Sequence, residues 1–123
     1  MRIYILSILT LTLLLGGCGD SSAIKLVKAG KLNSCPGKTV AQAVNGFFGS
    51  PKWESGKGID GATKGKQLVN IHGKITVHGK EVEALLQFIV DEKKGTFEAN
   101  ALEFNSVPQA AFMMMGLLAK MCE

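Results

Sequence analysis

Apolar and polar residues take turns along the second half of the chain. Val69, Ile71, Ile75 and Val77 alternate with Asn70, His72, Lys74, Thr76 and His78, which predicts a strand with one apolar face. His78-Gly79-Lys80 supplies a turn, and Val82, Ala84, Leu86, Phe88 and Val90 then restart the same period. Leu85 and Ile89 make the second face of that run partly apolar, which suits a central strand. Asp91 to Gly95 forms the next turn and Thr96 to Phe104 the last strand. There Phe97, Ala99 and Ala101 share one phase while Leu102 and Phe104 take the other. That break predicts a bulge, or a strand covered on both faces. Connections this short specify an antiparallel meander.

The period changes on either side. Thr39-Val40-Ala41-Gln42 matches a capping box, and Val40, Ala43, Val44 and Phe47 follow at the spacing of one helix face. Gly49 and Pro51 stop that helix of about ten residues, and Trp53 opens a further strand. Ser55 to Lys66 is expected to be a flexible loop, being rich in glycine and lysine. At the other end, Asn105-Ser106 is expected to cap a final helix with Pro108 in its first turn. From Ala110 to Cys122 only Lys120 is charged, so that helix should be buried on most sides. The expected class is α+β: a helix, three or four antiparallel strands and a C-terminal helix, with the helices on one sheet face. Met113, Met114 and Met115, with Trp53, are the candidate partner surface, since methionine suits forgiving binding surfaces. Core packing is the competing role for the same side chains, and Phe47 and Leu118 are equally open to either.

The first residues follow a different rule. Met1-Arg2 is basic, and Ile3 to Leu15 is apolar apart from Tyr4, Ser7, Thr10 and Thr12. The run is short of the roughly 20 residues that a membrane span needs and has the flanks of a secretory signal. Leu15-Gly16-Gly17-Cys18 resembles the lipobox of bacterial lipoproteins. The resemblance implies cleavage before Cys18 and lipid on its thiol; an ordinary signal peptide with Cys18 in a disulfide is the alternative. Gly19 lacks the aspartate associated with inner-membrane retention, so the resemblance implies the periplasm-facing leaflet of the outer membrane. The expected divisions are a signal peptide over 1–17, lipidated cysteine and tether over 18–34, and one domain over 35–123. Ile24, Leu26 and Val27 mark an ordered piece of the tether, read as an edge strand. Fully extended, the tether would reach roughly 50 Å.

Charge and cysteine narrow the function classes. Residue 2 is the only arginine, leaving 13 lysines against 10 acidic residues after the leader. That balance is too mild and scattered for nucleic-acid binding, and the lack of arginine disfavours bidentate phosphate recognition. Cys35 and Cys122 form an even pair in an oxidising compartment and read as one disulfide. Two free thiols, or Cys35 as a nucleophile, are the alternatives, and no histidine lies near Cys35 in sequence.

No catalytic constellation emerges. His72 and His78 are six residues apart on one strand, roughly 20 Å, too far to share a metal ion. Glu81 and Glu83 on a polar strand face lack the cleft that paired catalytic carboxylates require. The Gly-Lys pairs near residue 57 and residue 65 lack the spacing of a phosphate loop. No enzyme activity, metal or cofactor is expected.

The stretch from Thr39 to Glu54, then Ala84 to Phe88, Gly95 to Glu98 and Asn105 to Gln109, resembles a small domain of bacterial lipoproteins and of membrane-tethered zinc-ribbon proteins. The zinc ribbon is absent here and the lipid anchor stands in its place. The Gly49-Ser50-Pro51 helix stop and Trp53 are also similar to small outer-membrane-assembly lipoproteins, which have two helices before three strands where one helix is expected here. Neither resemblance implies a catalytic residue. The expected function is a lipid-anchored envelope module that binds another envelope protein. The alternative is an inhibitor or exclusion factor of a mobile element.

Overall fold

The computed structural model describes residues 20–123, so the expected signal peptide over 1–17 and Cys18 lie outside the described residues. Tight turns make each strand the antiparallel neighbour of the next: β1 (Gly49–Lys57), β2 (Gln67–Val77), β3 (Lys80–Asp91), β4 (Thr96–Phe104) and β5 (Val107–Pro108), in that order across one sheet. The β2–β3 hairpin turns on His78 and Gly79, with φ of 49° and 79°. Two left-handed residues give the turn whose twist matches that of the flanking strands. Trp53 lies inside β1 rather than at its start, and Ser55 to Lys57 extend that strand into the expected loop. Pro51 is tolerated because β1 is an edge.

The count of three or four strands is corrected to five. Asn105 and Ser106 do not cap a helix; with φ of 49° and 70° they form a second left-handed turn, and β5 folds back onto Glu103 and Phe104. Asn105 is held there because its Oδ1 accepts from Glu83 N at 3.0 Å while its own N–H donates to Glu83 O at 2.8 Å. The last helix starts later, after Ala110, whose side chain makes no cap.

Three helices accompany the sheet: α1 (Ser22–Ala29), α2 (Val40–Phe47) and α3 (Ala111–Met121). The first stands where a tether with an edge strand was expected. Ser21 Oγ accepts from Ile24 N at 3.2 Å, an N-cap, and Ala23, Ile24 and Val27 are buried on one face. Among the described residues two helices thus precede the sheet. The capping box of α2 forms in both directions, with Thr39 N donating to Gln42 Oε1 at 2.8 Å and Gln42 N donating to Thr39 Oγ1 at 3.1 Å.

One apolar cluster joins Ile24 and Val27 of α1, Val40 and Val44 of α2, and Leu117 and Met121 of α3 to Val69, Ile71, Leu86, Phe88 and Leu102 of the sheet. A Cβ at Gly73 would come within 2.9 Å of the Phe48 ring, so glycine lets Phe48 lie against β2. The expected bulge is present: Gln87 pairs with Ala101 and Phe88 with Ala99, leaving Asn100 as the extra residue. It returns Phe97 and Ala99 to the phase of Leu102. Cys35 and Cys122 are joined as a disulfide, Cα–Cα 5.4 Å, tying the α1–α2 connection to the end of α3.

Candidate functional site

Strand pairing assigns a second set of side chains to the opposite sheet face. Asn70 faces Gln87, His72 faces Leu85, Lys74 faces Glu83 and Thr76 faces Glu81, while Lys52 and Glu54 of β1 lie beside His72 and Asn70. Towards the β2–β3 turn this face and the β1 edge border a hollow of about 840 Å³, lined among others by Lys52, Glu54, His72, Lys74, Glu81 and Glu83. His72 Nε2 lies 3.2 Å from Glu54 Oε1. The fold therefore brings His72, Glu81 and Glu83 to one concavity, which strand spacing alone did not suggest. Ser50 and Thr76 also border it, and among the described residues neither is hydrogen-bonded to His72. Among the described residues no three metal-ligating side chains are grouped to hold an ion.

Further along the same face the environment is drier. Leu68 and Leu85 are buried with Ile89 against them. Asn100 Nδ2 donates to Gln87 Oε1 at 2.9 Å. Burial pushes the Glu103 carboxyl above the usual carboxylate range, because desolvation disfavours its charged form. Asn70 is enclosed with neither Nδ2 nor Oδ1 hydrogen-bonded among the described residues.

The methionine segment divides by helix phase. Leu117 and Met121 are buried, and Met113 and Met114 are half-buried against the core, whereas Met115 is 65% exposed. Phe112, one turn before Met115, is 70% exposed, and Val107 of β5 is 57% exposed. Three of the four exposed large apolar side chains among the described residues thus fall between Val107 and Met115, the fourth being Ile59. Phe112 and Val107 were not singled out from sequence: α3 is apolar all round, and Val107 lies in β5, a strand that was not expected. Trp53 is half-buried in the apolar cluster with Lys28 Nζ 5.1 Å from its ring centroid, a cation–π contact. Cys35 and Cys122 meet, and Cys18 lies outside the described residues. Among the described residues no helix is long and apolar enough to cross a membrane.

Comparison of the chain with protein-family models, with curated proteins and with solved structures yields no match.

Proposed function

We propose that this protein is a lipid-anchored module of the bacterial cell envelope, facing the periplasm from the outer membrane, that binds another envelope protein without catalysis. The observation that carries the binding role is that three exposed large apolar side chains, Val107, Phe112 and Met115, fall within one stretch of nine residues. Scattered single apolar residues are ordinary on a surface, but a concentration on one short stretch is typical of a protein interface. Methionine and phenylalanine are also enriched in such interfaces. The anchor rests on Leu15-Gly16-Gly17-Cys18. The order of two helices before antiparallel strands, with the Gly49-Ser50-Pro51 stop and Trp53, is similar to small outer-membrane-assembly lipoproteins and supports the same setting.

Photo-crosslinking residues placed at Phe112 and Met115 in living cells test the reading, with the half-buried Met113 as the control on the same helix. One dominant envelope protein trapped from both exposed positions, and lost on Cys18→Ala, is the expected result. Its identity separates a structural partner from a foreign target that the protein blocks. No adduct from either exposed position overturns the reading.

A further inference from the structure

We propose that the end of the domain formed by the β1–β2 loop and the β3–β4 turn is a docking surface for an anionic lipid bilayer. Ile59 sits in the bilayer interface and lysines lie over the headgroups. This rests on lipidation of Cys18.

The first argument is reach. Because α1 begins at Ser22, only Gly19, Asp20 and Ser21 separate it from Cys18, about 14 Å at full extension. The start of α1 is also fastened down. Ser21 Oγ is 2.7 Å from Ser55 Oγ near the end of β1, Ser22 Oγ donates to Glu92 Oε1 at 2.6 Å, and Lys28 Nζ donates to Asp20 Oδ2 at 2.7 Å. An acylated Cys18 therefore draws this end of the sheet, and no other, against the bilayer.

The second argument is what that end displays. Lys57 pairs with Gln67, Gln67 with Val90, and Asp91 with Thr96, so the β1–β2 loop and the β3–β4 turn emerge side by side. Ile59 in that loop is 53% exposed. Around it stand Lys57, Lys64 and Lys66, with Lys93 and Lys94 on the neighbouring turn and Lys25 in the first turn of α1, all exposed. Among the described residues none of these six is in an ion pair. Of the nearby carboxylates, Asp20 is paired with Lys28, Glu92 accepts from Ser22 and Asp91 accepts from Lys94 N at 3.1 Å. Asp60, Asp91, Glu92 and the exposed Glu98 are in no ion pair among the described residues, and the six lysines outnumber these four carboxylates. Lysines within a Debye length of about 8 Å gain from anionic headgroups, and one apolar side chain beside them adds interfacial burial. Phe104, next to β5, is eight residues along β4 from Thr96, roughly 26 Å away, so β5 stands clear of the bilayer.

The test uses the full chain purified with its acyl groups and reconstituted into vesicles of phosphatidylethanolamine and phosphatidylglycerol. Spin labels go on Ile59→Cys and, at the other end, on Lys80→Cys. A free-thiol count of one before labelling checks that Cys35 and Cys122 stay paired. The expected result is that collisions with a water-soluble nickel chelate fall about tenfold at residue 59 relative to residue 80, while oxygen collisions rise. The fall should weaken when phosphatidylcholine replaces phosphatidylglycerol. Equal nickel access at both positions in acylated protein overturns the docking surface and leaves the anchor standing. A mass showing no acyl group on Cys18 overturns both.

Discussion

Gln87 and Phe88 are neighbours on β3, yet they report opposite sides of the sheet. Phe88 enters the cluster completed by three helices, where its ring meets that of Phe97 edge-on at 5.6 Å. Gln87 looks the other way, towards Asn70 and Asn100. One face is packed and apolar, and the other carries His72, Glu54, Lys74 and Glu83 around the hollow.

That division can be broken at several points. The largest effect should follow Cys35→Ser, which frees the helical layer. A link across a sequence separation of 87 is worth about 4–5 kcal/mol in the chain-entropy model, and urea unfolding of the variant beside the parent measures it. Next is the adjacent pair on β3. Phe88→Ala should cost about 3–5 kcal/mol through lost burial and cavity formation, whereas Gln87→Ala should cost about 1 kcal/mol for one hydrogen bond. Equal losses from the two would abolish the distinction between the faces. Thr39→Ala removes one side of the α2 capping box and should destabilise by about 1 kcal/mol, visible as a lower thermal midpoint.

The smallest effect concerns Glu103 and has a definite sign. Its carboxyl is held above its ordinary range by burial, so the folded state binds the proton more tightly than the unfolded chain. Its contribution is most favourable below the ordinary carboxylate pKa and is lost as pH rises through the raised one. Glu103→Gln should flatten that decline, which urea midpoints from acidic to neutral pH would reveal. An unchanged pH profile would mean that this part of the open face is wet.

Much of the sheet was legible because period two persists over long runs. The bounds of β4, the His78-Gly79 turn and the capping box at Thr39 needed no tertiary information. The first helix was hidden by its length: eight residues carrying two lysines offer too few turns for a period to emerge. Asn105 and Ser106 misled for a chemical reason, since the residue types that cap helices also favour left-handed turns. The choice was made by Glu83, which bonds Asn105 from another strand. In α3 every face is apolar, so composition could not tell Phe112 from Leu117. The disulfide and β4 decide which side turns inward.

The bulge at Asn100 carries a consequence for how the gene tolerates lost codons. Removing this one residue would join Ala99 to Ala101 and leave Phe97, Ala99, Leu102 and Phe104 in a single alternating phase. The sheet then gains a regular strand and loses only the Asn100 bond to Gln87. The same deletion in β2 or β3 would turn half a strand inside out. A library of in-frame single-codon deletions, scored for folded protein, should therefore show an isolated island of survival at codon 100.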